Sequence, residues 1–285
     1  MEAWWFFLYN PAMSMDSFAK AISEDPLHVP GAALCFARAI AYPDLDVEAY
    51  LEKLEALALS ARDAVPASSP AVVRGEALAE YLFEALPFRG NRSEYADPRN
   101  SYLNEVLDRR LGIPISLSVL FVEVARRLAI PAFGIGLPGH FIAGVQGQDA
   151  MAYFDPFHGG RRISIADCAQ LVSLSTGYQG SFQPEWLKPV GSRETLTRML
   201  NNLRQGYLQA KAWGLAEAVI ECQYLLTPDA PELGRDEGYI LHSRGQLRKA
   251  IEAYEGYLKR QPQAADAAVV KTILEQAARQ LALLN

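Results

Sequence analysis

The chain is poor in cysteine, has no long apolar run and shows no excess of basic charge. Cys35, Cys168 and Cys222 stand far apart among 285 residues and form no CxxC pair. An odd, scattered set excludes a disulfide framework and a structural zinc of the usual spacing. It points to a reducing compartment and leaves each thiol as a small buried hydrophobe. No stretch reaches the ~18 apolar residues that a membrane-spanning helix needs. The apolar N-terminus (Trp4, Trp5, Phe6, Phe7, Leu8) carries Glu2, no basic residue and no small-residue cleavage site, so it does not read as a signal peptide. A cytoplasmic location is expected. A net charge of −6 without a dense Lys/Arg stripe offers no field for nucleic acid. There is no HExxH and no phosphate-loop glycine pattern. No nucleic acid, membrane, cofactor or metal is therefore assigned.

What remains is a globular chain, 50% hydrophobic and long enough for more than one domain. Residues 16–90 read as helices. The stretch 32–40 is apolar throughout, 47–62 repeats Leu and Ala at helical spacing behind Asp46 as N-cap, and Ser69-Pro70 opens a further helix to about 86. Residues 87–99 are polar and glycine-bearing, hence a loop. A short helix starts at Asn100 or Ser101 and runs to about 110, followed by a longer one over 115–128 with Pro114 in its first turn. Then the period changes. The runs 132–136, 141–145 and 150–154 are of β type, with Gly147-Gln148-Asp149 as a hairpin signal between the last two. A further helix over 163–174 starts near Ser164. Helices followed by a small antiparallel sheet imply an α+β domain.

From about 193 the chain is helical again and repeats itself. Ala216, Ile220 and Pro228 recur 34 residues later as Ala250, Tyr254 and Pro262. Leu203 and Tyr207 precede the first set, and Gly238 and Leu241 the second. A 34-residue period of this kind is the helix–turn–helix unit of tetratricopeptide repeats. Residues 264–284 read as a terminal helix. The expected divisions are 1–92, a helical part of the core domain; 93–190, the core proper; and 191–285, the repeats.

The chemistry concentrates in residues 98–160. Nucleophilic catalysis of the papain type needs a nucleophile at a helix start, an imidazole to take its proton and a carboxylate to hold the imidazole. His140, after Pro138-Gly139, opens one strand, and Asp155 ends the next, so antiparallel pairing would set them side by side. Asp155-Pro156 equally reads as a turn opener. No cysteine stands at the start of the helix. Ser116 and Ser118 are the hydroxyls there, and Ser116 is either a nucleophile or a partner for the exposed backbone groups of the first turn. His158, three residues after Asp155, suggests a ligand pair with His140, but no further ligand follows at a recognised spacing. Glu123 interrupts an otherwise apolar helix and is expected to pair with Arg109, Arg110 or Arg126.

Asn100-Ser101-Tyr102-Leu103-Asn104, Arg109-Arg110-Leu111-Gly112-Ile113-Pro114-Ile115-Ser116-Leu117, Pro138-Gly139-His140-Phe141 and Asp155-Pro156-Phe157 together closely resemble the bacterial SirB-one family of the transglutaminase-like superfamily. The resemblance extends over nearly the whole chain, including the C-terminal repeats. It implies a papain/transglutaminase-like core and a Cys–His–Asp triad, with His140 and Asp155 matching the histidine and the aspartate. Ungapped alignment puts Pro114 at the cysteine position, and Ser116 falls two residues later. Asn100, Tyr102, Asn104 and Arg110 belong to the family's signature and either bind substrate or brace the cleft, with bracing favoured for Asn104.

Two functions follow as expectations. The first is a non-catalytic regulatory or protein-binding module on a degenerate transglutaminase-like fold, with a protein or peptide partner. The second is a serine-dependent hydrolase or acyltransferase using Ser116, His140 and Asp155. A scaffold without any site would leave the His–Asp pair unexplained. The partner and the oligomeric state are not legible in the sequence.

Overall fold

The computed structural model describes residues 11–284, so the apolar stretch from Trp4 to Leu8 lies outside the described residues. The chain divides into two compact units, Met1–Asn202 and Leu203–Asn285.

In the first unit, α1 (Pro11–Ile22), α2 (Val29–Ile40), α3 (Val47–Ala61) and α4 (Ala71–Glu80) form the N-terminal helical part. Asp46 caps α3 as expected, accepting from Ala49 N at 3.1 Å. Past Glu80 the helix continues as a π-helical turn over Tyr81–Ala85. Two short extended segments follow, β1 (Arg89–Gly90) parallel to β2 (Leu111–Gly112). Between them lie a 3₁₀ turn, Pro98–Ser101, and α5 (Leu103–Arg109). The single short helix expected from 100 to 110 is thus two pieces, because Tyr102 is extended (φ −89°, ψ 123°).

The element that positions the site is α6 (Pro114–Arg127). It is apolar on nearly every side and correspondingly buried, from Pro114 through Phe121 without interruption. Phe121 stacks against Phe83 on one side and Phe154 of the sheet on the other, with ring centroids 6.3 and 5.6 Å away. The sheet is an antiparallel meander of β3 (Ala132–Ile135), β4 (Ile142–Gln146), β5 (Met151–Asp155) and β6 (Arg161–Ile163). β3, β4 and β5 fall where alternation predicted them. β6 was not read from the sequence. α7 (Ile165–Thr176), capped by Ser164, closes over the sheet through Cys168, Leu171 and Val172 against Ile135, Ile142 and Ile163. The architecture is α+β, mostly helical with one small antiparallel sheet.

α8 (Ser192–Gln209) crosses the division between the units. In the second unit it is followed by α9 (Trp213–Leu226), α10 (Pro231–Ser243), α11 (Leu247–Arg260) and α12 (Ala267–Leu284). The repeat positions behave as packing positions. Ala216 and Ala250 are fully buried, and Ile220 and Tyr254 nearly so. Gly238 is required by close approach, since a Cβ there would stand 2.7 Å from the Tyr254 ring. Arg204 joins this stack from within, 3.0 Å from Gln223 Oε1 and 3.1 Å from Asp236 Oδ2.

Candidate functional site

The register of β4 and β5 places Ala143 opposite Phe154, which brings Ile142 opposite Asp155. His140 stands two residues earlier in the chain, so it shares that face. The turn before it needs Gly139, which has φ +70° and no room for a side chain, since a Cβ would lie 2.7 Å from Ser175 Cβ. The outcome is a His140 Nε2–Asp155 Oδ1 distance of 3.1 Å. The His–Asp pairing anticipated from strand order is formed.

Asp155 holds a second imidazole as well. Pro156–His158 is a 3₁₀ turn capped by Asp155, whose Oδ1 accepts from His158 N at 3.3 Å and whose Oδ2 lies 2.6 Å from His158 Nδ1. Asp155 is therefore both the turn opener and the partner of His140. Its full burial works against ionisation, but the hydrogen bonds from His140 and His158 outweigh that and hold the carboxyl below the usual range. An ionised carboxylate only accepts, so each facing ring nitrogen carries the proton. His140 Nδ1 and His158 Nε2 are left as the outward nitrogens. The two imidazoles lie 5.6 Å apart at 26°, and Phe157 sets its edge against both.

This cluster opens on a cavity of about 510 Å³ whose lining includes Tyr95, Pro114, His140, His158, Arg161 and Leu174. A second cavity of about 220 Å³ shares Tyr95, Pro114, Gly139 and His140 with it and continues to Arg198 and Asn201. Pro114 and His140 thus stand where two depressions meet. A third cavity, of about 230 Å³, adjoins Val119, Glu123 and Phe133, away from these groups.

Ser116 is not part of this arrangement. It is fully buried, its hydroxyl donates to Asn100 O at 2.6 Å, and it accepts from Ile113 N at 3.0 Å. Ser118 is also buried and bonds Phe141 O at 3.3 Å. The serine-dependent alternative finds no support here: the hydroxyl is committed to backbone groups, and neither cavity at His140 is lined by Ser116. The thiols offer no replacement. All three cysteines are buried and none is in a disulfide, and burial pushes Cys168 up to about 12.

The four signature residues brace rather than line. Asn100 is fully buried, donates to Glu94 O at 2.7 Å and accepts from Asn91 Nδ2 at 3.1 Å, which fixes the loop carrying Tyr95. Tyr102 packs its ring against Phe36 and Tyr42. Asn104 is buried in α5. Arg110 ends α5 in the left-handed region (φ 56°) and donates to Leu86 O at 3.0 Å. None of the four borders the cavities at His140. Glu123 pairs with Arg126, as expected, and also with Arg127 and His28. Sequence reasoning missed Tyr95, Phe157 and Arg161 as lining residues, and it weighed His158 only as a ligand beside His140, without placing it on Asp155. The signal available for His158 was its spacing of three from a turn-opening aspartate.

Comparisons with known families agree with this fold. The model of the transglutaminase-like superfamily matches residues 48–201, and that of a tetratricopeptide repeat matches 203–275. A UPF0162 protein of Xylella fastidiosa (strain Temecula1) is 36% identical over 247 residues, covering 85% of this chain and 86% of that one. F-box only protein 21 of Mus musculus is 32% identical over 138 residues, which is 45% of this chain and 21% of that protein. A crystal structure of menin is similar with a TM-score of 0.45 at 12% identity, covering 92% of this chain and 69% of that one, a likeness too distant to carry an inference. With the core, the repeats and the SirB-one motifs in agreement, the chain belongs to the UPF0162 family of transglutaminase-like proteins with C-terminal tetratricopeptide repeats.

Proposed function

We propose that this protein is a non-catalytic binding or regulatory module, in which a transglutaminase-like core has lost its nucleophile and a tetratricopeptide segment receives a protein or peptide partner. The observation that carries this reading is Pro114. It lines the cleft beside His140, it is the residue that the resemblance matches to the superfamily's cysteine, and it offers no nucleophilic atom. The neighbouring hydroxyl of Ser116 faces backbone carbonyl and amide groups instead. Repeats of the tetratricopeptide type stack into a surface suited to peptide segments. The buried cysteines, none of them in a disulfide, and the net charge of −6 support a partner met in a reducing compartment, the cytoplasm, rather than a nucleic acid. No helix among the described residues is long and apolar enough to cross a membrane.

The test is turnover. The full chain is offered fluorogenic esters, peptide amides and an acyl-transfer pair of glutamine and primary amine, with His140→Ala in parallel. The expected result is no turnover that distinguishes the two proteins. Turnover that disappears in His140→Ala overturns the reading.

A further inference from the structure

An acid–base pair of the papain type needs one imidazole on its carboxylate, whereas Asp155 holds two, one on each oxygen. The second ring has no task in proton transfer to a missing nucleophile. We propose that His140, Asp155 and His158 form a binding site for a divalent transition ion of the zinc class at the floor of the cleft. Their donor atoms all lie within 4.8 Å of one another, and this is the one such trio among the described residues. Zinc takes imidazole nitrogen and carboxylate oxygen at roughly 2.0–2.2 Å, so three donors with this spread surround a single centre after small side-chain rotations. The donor chemistry excludes magnesium and calcium, which prefer a shell of oxygens.

The proton balance is simple. Each ring now turns its N–H toward Asp155. On ion binding that proton moves to the outward nitrogen, His140 Nδ1 or His158 Nε2, and the freed inner nitrogen ligates as neutral imidazole. The carboxylate supplies one negative charge against the ion's two positive ones. Three protein ligands leave a coordination position for a donor atom of whatever occupies the 510 Å³ cavity that both rings line. Full burial of Asp155, with His140 only 8% exposed, keeps two of the ligands out of competition with bulk water.

The inference stands on the geometry of the trio and not on the binding-module reading. Its test reads metal rather than turnover, so either can fail alone. The untagged full chain, stripped with chelator and dialysed, is titrated with zinc chloride by calorimetry. The expected result is one ion per chain. His158→Ala, which leaves the His140–Asp155 contact in place, should weaken binding by more than the roughly 10–100-fold that a merely supporting residue costs. A second readout uses the unaltered protein. It has four histidines, His28, His140, His158 and His242. Zinc should shift the side-chain ¹⁵N resonances of His140 and His158 alone. Absence of uptake at about one equivalent, affinity unchanged in His158→Ala, or shifts confined to His28 or His242 would each overturn the proposal.

Discussion

The two units use buried polar groups differently. In the first, they join segments distant in the chain: His28 reaches Glu123 across 95 positions, Asn100 takes the Ser116 hydroxyl across 16, and Asp155 gathers His140 and His158. In the second, the repeat positions are apolar or small, and the buried polar set centres on Arg204, Gln223 and Asp236 between neighbouring helices. Tyr254 even buries a hydroxyl without a hydrogen-bond partner. The first unit therefore depends on hydrogen-bonded connections to hold its cleft, whereas the second depends on shape.

The sharpest way to break this contrast is Asp155→Ala. It removes the shared partner of two imidazoles in a buried site, and disruption of a buried pair costs about 3–5 kcal/mol. Urea unfolding should show that loss, and a change below about 1 kcal/mol would mean the cluster is not what holds the turn at 156–158.

The next largest effect is on acid stability. Burial works against ionisation of Glu123, but hydrogen bonds from His28 and Arg126, with His28 and Arg127 adding further stabilisation, hold its carboxyl at about 2. A folded value below the unfolded one of 4.5 means the stabilisation is complete above pH 4.5 and is lost as pH falls toward 2. The difference corresponds to about 3 kcal/mol at most. Unfolding free energy followed from pH 5 downward should decline through this window, and Glu123→Gln should flatten the decline while lowering stability at neutral pH.

Ser116→Ala comes third. Losing a buried hydroxyl that serves Asn100 O and Ile113 N should cost about 1–3 kcal/mol in thermal or urea unfolding. Smallest of all is Tyr254→Phe in the repeat unit. With no hydrogen bond to lose, it should stay within about 0.5 kcal/mol of the parent. A cost above about 1 kcal/mol would show that the repeat core also rests on polar connections and would erase the contrast.

Much of the architecture was legible because it is encoded locally. Asp46 and Ser164 cap the helices they were expected to open. Alternation marked β3 to β5, and a period of 34 marked the repeats. β6 escaped because Arg161-Arg162-Ile163 is short and mostly charged, an edge strand recognisable only by its partner Tyr153–Asp155. The break at Tyr102 escaped for a similar reason: the apolar positions of 102–107 suit a helix, and the extended Tyr102 is set by packing against Phe36 and Tyr42. In the site, strand order foretold the His140–Asp155 contact, while the direction of the Ser116 hydroxyl depended on Asn100.

By itself, then, the sequence determined the α+β class, the repeat segment and the family resemblance, and it offered the pairing of His140 with Asp155 beside a turn-opening role for Asp155. Each follows from periodicity, capping chemistry or motif spacing, properties that neighbouring residues carry with them. Tertiary structure alone decided that the Ser116 hydroxyl meets Asn100 O and Ile113 N, and that Asn100, Tyr102, Asn104 and Arg110 stand outside the lining of the cavities at His140. It also decided that Asp155 serves two histidines. The physical reason is that a polar side chain takes its role from the partner within about 3 Å, and that partner is chosen by how distant segments pack.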